Sequence, residues 1–315
     1  MWPNRCAPAA LPEPTVRPPS RALDQVRSWP VVNVSAATVV LDTADATATG
    51  PVVETVGHQE RRYWLASIAK TITTWAVLVA VEEGVVELDM PIGQPGCTMR
   101  HLLSHAGGYA FDGSDPITAP QRRRIYSNTG IELAADEVAA QAGMSFEQYL
   151  HDAVLQPLGM TSTELHGSPA HAMWSTCADV VRFVTEVIGP TLISRETATE
   201  ATQPVFAELA GVLPGVGRYQ HNTWGLGFEV KGDKAPHWTG QRNSPQTFGH
   251  FGGAGTFVWV DPGAVHDRTV ACVALTDLAF GDWAAEALVA WPALSDTVVG
   301  EAVVAEATTT GEPLG

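Results

Sequence analysis

Ser67 and Lys70 stand three residues apart at the head of an apolar-periodic segment, Ile68 to Val81. On a helix that spacing puts both side chains on one face, a single turn apart. A hydroxyl held beside an amine in this way is a serine nucleophile next to its proton acceptor. The choice of lysine is informative. The chain has only three lysines, Lys70, Lys231 and Lys234, among its eighteen basic residues. An arginine is never deprotonated in a protein, whereas a buried lysine can lose its proton and take one from a neighbour. Taken alone, the tetrapeptide also fits a helix N-cap serine followed by a solvated lysine, so its companions decide its weight.

Two further groups accompany it. Tyr126-Ser127-Asn128 follows the arginine run 122–124 and precedes a helical pattern. A phenol near an ammonium has its pKa lowered and can act as a base, and Asn128 offers both a donor and an acceptor. The bland alternative is a core tyrosine and an asparagine N-cap. Residues 249–255 read Gly-His-Phe-Gly-Gly-Ala-Gly between two strand patterns. Such glycines allow close approach of backbone to a ligand and leave N–H groups to face an oxyanion. A dinucleotide loop is excluded, because the strand-to-helix context and the glycine spacing are both wrong. A bulged hairpin with a satisfied histidine is the alternative here.

The elements that must position these groups follow from periodicity and caps. Residues 21–29 suit a short helix, and residues 37–41 and 52–57 read as strands around a Thr/Ala/Asp/Gly turn. Ser67 opens the first long helix, which Gly84 stops. From Cys97 to Gln203 the signals are mostly helical, with capping residues at Thr98, Ser145, Thr176 and Ser194. Strand signals return over 224–231, 246–250, 256–261 and 268–276, and 282–290 reads as a closing helix. Strands, then helices, then strands predict an α+β fold: an antiparallel sheet flanked by N- and C-terminal helices, with an inserted all-helical domain. The expected organisation is a flexible tail over 1–20, an α+β domain from 21–96 and 222–303, the helical insertion over 97–221, and a frayed end over 304–315. Trp224 is a candidate to line the cleft between the domains.

Together the Ser-x-x-Lys, Tyr-Ser-Asn and His-Phe-Gly groups resemble the serine β-lactamase and penicillin-binding-protein family. The match is to the branch containing class C β-lactamases, D-alanyl-D-alanine carboxypeptidases and family esterases. It extends over roughly residues 37–277 and includes Leu102-Leu103-Ser104-His105, Pro157-Leu158-Gly159-Met160 and Trp224-Gly225-Leu226-Gly227 in the expected order. The resemblance implies that Ser67 is the nucleophile and Lys70 its proton partner. Tyr126 would take the serine proton and relay it to the leaving group, and Asn128 would hold Lys70 and the substrate's carbonyl side. The N–H groups of Ser67 and Gly253 would form the oxyanion hole. His250-Phe251-Gly252 stands where the family has Lys-Thr-Gly, which removes a fixed positive charge and a hydroxyl that bind a substrate carboxylate.

The expected activity is therefore acyl transfer to water on a small acyl substrate, as an esterase or an amidase/peptidase. β-Lactamase or D-amino-acid carboxypeptidase activity is the alternative, and a non-catalytic ligand-binding protein is the rival of another class. With an unperturbed imidazole pKa near ~6.5, activity on carboxylate-bearing substrates would rise as pH falls toward the His250 pKa.

Bulk properties narrow the field. A net charge of −16 and a pI near 4.9 argue against nucleic acid or anionic membrane as partner. Cys6, Cys97, Cys177 and Cys272 are scattered without metal-ligand spacing. His101 and His105 lack the glutamate of a zincin pattern and read as cap or core residues. No Gly-x-Ser-x-Gly elbow occurs. No metal or other cofactor is expected. No apolar run approaches a membrane span, and the proline-rich start lacks the apolar stretch of a secretory signal. The expected location is the cytoplasm.

Overall fold

A computed structural model describes residues 12–42 and 50–310. Most of the turn expected after residue 41, the first eleven residues of the tail and the last five of the chain lie outside them.

The first elements are β1 (Thr15–Arg17), α1 (Arg21–Asp24), β2 (Val34–Asp42), β3 (Val52–Val56) and β4 (Arg62–Trp64). A 3₁₀ turn over Ala66–Ile68 then leads into α2 (Ala69–Glu82). The middle of the chain forms α3 (Met99–Leu103), α4 (Asn128–Ala142), α5 (Phe146–Leu150), β5 (Glu164–Leu165), β6 (Met173–Thr176), α6 (Cys177–Ile188) and α7 (Arg195–Thr202). The remainder is β7 (Gly211–Leu213), β8 (Gly217–Tyr219), β9 (Glu229–Val230), β10 (Phe248–Gly252), β11 (Thr256–Val265), β12 (Arg268–Thr276) and α8 (Phe280–Thr310).

Seven strands form one sheet in the order β1-β3-β2-β12-β11-β10-β9, antiparallel except for the β1–β3 pair. β2 and β12, from opposite ends of the chain, pair at its centre. Period-2 alternation sends successive residues to opposite faces. Ala37 and Val39 join a core with Ala271, Val273, α2, α4 and α6, whereas Ala36 and Val40 face a second core with Cys272, Ala274, α1 and α8. The helices of 97–221 thus share one hydrophobic core with α2 and a sheet face. α2 is apolar nearly all round, and Ala69 to Ala80 are all buried.

Five expectations need correction. Residues 15–17, assigned to a flexible tail, form an exposed edge strand, because their backbone finds pairing on β3. The segment 97–221 is not all-helical: β5 and β6 pair with β4 as a small sheet, and β7 with β8 as a hairpin. The strand predicted over 224–231 shrinks to Glu229–Val230, since Gly227 takes a left-handed φ of 73° and turns the chain. Residues 280–305 of α8 are long and apolar enough to meet a membrane-span criterion, with a mean hydropathy of 1.4. One side of the helix, Ala287, Trp291, Leu294 and Val298, is buried in the second core. The helix also continues to Thr310, through residues expected to fray.

Candidate active site

Ser67 sits in the 3₁₀ turn ahead of α2, half-buried, directly after Ala66 with its φ of 47°. A left-handed backbone at a non-glycine residue is uncommon and signals a constrained turn. The strand β10 passes very close. A Cβ at Gly252 would fall 2.4 Å from the Leu65 carbonyl oxygen, so glycine is required for this approach. Thr256 Oγ1 donates to the same carbonyl at 3.0 Å and holds the turn to β11.

Lys70 lies one turn into the helix and is fully buried. Its ammonium nitrogen donates to Ser67 Oγ at 3.2 Å, Asn128 Oδ1 at 2.7 Å and the Ala170 carbonyl at 2.9 Å. All three N–H donors are used, and no carboxylate is among the acceptors. Burial therefore dominates and pulls the Lys70 pKa from 10.5 down to about 7, against the weaker pull of Glu132 and Asp112. An amine titrating there is in part free base at neutral pH, as a proton acceptor for Ser67 requires.

Tyr126 and His250 close the other side. The Tyr126 ring lies 4.8 Å from Lys70 Nζ. His250 Nδ1–H donates to its neighbour's carbonyl, Phe251 O, at 2.7 Å, which leaves Nε2 as an acceptor 3.4 Å from the Tyr126 hydroxyl. Both groups depart from expectation. Burial pushes the Tyr126 phenol above its ordinary value, outweighing a hydrogen bond with Ser67, which is opposite to the lowering expected beside an ammonium. Burial and the nearby Lys70 push His250 down to about 3. The imidazole is neutral throughout the working range, and acid does not switch on a charge there.

Asn128 accepts from Lys70 through Oδ1, while its Nδ2 donates to Asp112 Oδ1 at 3.0 Å. Its oxygen orients Lys70, as expected, and one of its two amide N–H donors is taken by Asp112. The N-cap of α4 is Ser127, whose Oγ accepts the Gly130 N–H. Gly253 lies on the turn after β10 at the cleft, and its carbonyl accepts the Phe280 N–H at 2.9 Å. Trp224 is 1% exposed and does not line the cleft; it backs Tyr126 and His250, with ring centroids at 5.6 and 5.4 Å.

The cleft is a cavity of about 220 Å³ that reaches Ser67, Tyr126, His250 and Gly253. Phe111, Leu213, Pro214, Phe251 and Phe280 supply its apolar walls. None of the described residues lining it carries a positive charge. Apart from Phe251, these wall residues had no sequence signal, because they come from irregular segments or element ends far apart in the chain. Ala170 and Asp112 escaped for the same reason. Among the described residues, no group of three or more His, Cys, Asp or Glu side chains is disposed to hold a metal ion.

A mostly antiparallel sheet with helices on both faces, and a serine, a buried lysine and a tyrosine converging beside β10, is the architecture of the β-lactamase and transpeptidase-like class. The chain belongs to the beta-lactamase family: the Beta-lactamase family model matches residues 30–291. It is 44% identical to a beta-lactamase from Mycobacterium bovis of solved structure, over 90% of this chain and 99% of that one, with a TM-score of 0.81. A D-stereospecific amidohydrolase from Streptomyces shares the fold at 18% identity, over 86% of this chain and 98% of that one, with a TM-score of 0.59. Among curated proteins, the Escherichia coli beta-lactamase is 27% identical over 36% of this chain, and penicillin-binding protein 4* of Bacillus subtilis 25% identical over 32%. Those matches span 37% and 30% of the two relatives, about a third of their length.

Proposed function

We propose that the protein is a serine hydrolase that works through an acyl-enzyme, as an esterase or amidase/peptidase on a small, uncharged acyl substrate. One observation carries the reading: a fully buried lysine titrating near 7 donates to the hydroxyl of a cleft serine at 3.2 Å. Ser67 Oγ attacks the acyl carbon and its proton passes to neutral Lys70. The Ser67 and Gly253 N–H groups stabilise the oxyanion. Collapse breaks the bond to the leaving group, which takes a proton from the Tyr126 phenol; the proton gained by Lys70 restores the phenol. Water then repeats the sequence on the acyl-enzyme and frees the acid. The apolar walls and the neutral His250 favour uncharged esters over carboxylate-bearing substrates.

The test is labelling by a fluorophosphonate, followed by mass spectrometry and a panel of esters, β-lactams and D-amino-acid peptides. Phosphonylation of Ser67 with ester turnover is expected; absence of labelling would instead favour the non-catalytic, ligand-binding reading. A second reading, β-lactam hydrolysis, is favoured by the 44% identity to the Mycobacterium bovis protein. Efficient penicillin turnover at neutral pH would select it without changing the roles of Ser67 and Lys70.

The Lys70 pKa also predicts a pH profile. Protonated Lys70 cannot accept the Ser67 proton, so kcat/KM for an uncharged ester should fall with unit slope below about pH 7 and level off above it. Because burial raises the Tyr126 pKa, no basic limb is expected near the ordinary phenol value. A flat profile from about pH 5 to about pH 9, roughly two units either side of the free-base transition, would remove Lys70 as the base.

A further inference from the structure

Tyr126 lies in a stretch that belongs to no helix or strand, yet its phenol must point accurately into the cleft. His105 supplies bonds on both sides of it. The His105 carbonyl accepts the Ile125 N–H at 2.9 Å, and its ring Nδ1 accepts the Ser127 N–H at 3.2 Å. The imidazole also packs on the Tyr126 ring, with centroids 4.6 Å apart, and meets Trp224 edge to face at 4.6 Å. Since Nδ1 accepts, the ring proton resides on Nε2, which has no hydrogen-bond partner among the described residues. His105 is 1% exposed and holds a left-handed φ of 57°, a conformation retained in non-glycine residues where the surroundings over-determine it. Burial, with Lys70, His250 and Arg124 nearby, drives its pKa well down, so the ring acts as a neutral acceptor and carries no charge to the site.

We propose that His105 is a positioning residue for proton delivery: by accepting the Ser127 amide proton, it fixes the segment that aims the Tyr126 phenol at the leaving-group oxygen. This rests on Tyr126 being the leaving-group proton donor of the proposed reaction. A merely structural residue would lower all activities together. A residue that aims Tyr126 affects only those leaving groups that need a proton.

The experiment compares p-nitrophenyl butyrate with ethyl butyrate. Nitrophenolate departs without protonation, whereas ethoxide requires it. His105→Leu keeps bulk and removes the acceptor; His105→Asn keeps an acceptor near the Nδ1 position and tolerates the left-handed backbone. His105→Leu should raise the nitrophenyl-to-ethyl ratio of kcat/KM by ~10-fold or more through loss on the ethyl ester, a modest share of a general acid's contribution. His105→Asn should hold the wild-type ratio. Equal losses on both esters in the leucine variant would overturn the proposal. If that variant does not fold, His105→Ala, which also removes the acceptor, decides: a raised ratio upholds the acceptor role and an unchanged one refutes it. A wild-type protein that turns over neither ester and is not labelled at Ser67 would instead fail the underlying reading of the site, a result distinct from an unchanged ratio.

Discussion

Ser67→Ala is expected to lower kcat by at least ~10⁴-fold, because loss of a serine nucleophile leaves only the residual catalysis of an oxyanion hole and substrate binding. The side chain is half-buried and its hydroxyl is one of three acceptors for Lys70 Nζ. Removing it leaves Lys70 bonded to Asn128 and to the Ala170 carbonyl, so the fold should persist. The check is steady-state kinetics beside a thermal melt, with fluorophosphonate labelling of both proteins. A folded variant that keeps wild-type turnover, or an adduct at another serine, would show that Ser67 is not the nucleophile.

Lys70→Arg should cost at least ~10²-fold in kcat, the lower end of what a general base contributes. The charge is conserved, but a guanidinium does not deprotonate in a protein and so cannot accept the Ser67 proton. Its planar fork must also enter a site with no exposure, shaped for three converging bonds to a small ammonium. A loss in kcat is the signature of a lost base, and a rise in KM alone would point to a changed cleft. Near wild-type turnover would make Lys70 a structural cation.

The proposed catalytic triplet stands out in the sequence because each member is marked by type and spacing. Ser67 and Lys70 lie within one turn, and Tyr126 is set beside an asparagine at the start of a helix. The scarcity of lysine proved a weaker clue than it looks. Lys231 donates to two backbone carbonyls, and Lys234 pairs with the buried Glu229 at 2.7 Å while also bonding Thr223. All three lysines thus use a compact ammonium where several acceptors converge, and only Lys70 adds a serine to the set. The sheet order was readable only in outline. Alternation identified β2, β3, β11 and β12, but the register of β2 on β12 depends on side chains that meet only after folding. The titration of Tyr126 and His250 was misjudged for a related reason. For Tyr126 its neighbours suggest a lowered pKa and for His250 an ordinary one, whereas burial raises the first and lowers the second. Trp224 itself, one tryptophan among ten, carried no mark to distinguish a wall from a backing.

The central pairing of β2 with β12 has a consequence in time. Asn33 and Asp277, joined at its end, are 244 residues apart along the chain. At roughly 5–20 residues per second on a ribosome, β2 leaves the tunnel on the order of ten seconds to a minute before its partner exists. During that interval Ser67 and Lys70 are already synthesised, but Gly253 and His250 are not. Neither the proposed oxyanion hole nor the Tyr126–His250 contact can assemble. The nascent chain therefore passes most of its synthesis with β2 paired on one edge only, to β3, and the proposed site can assemble only as the C-terminal strands zip into place.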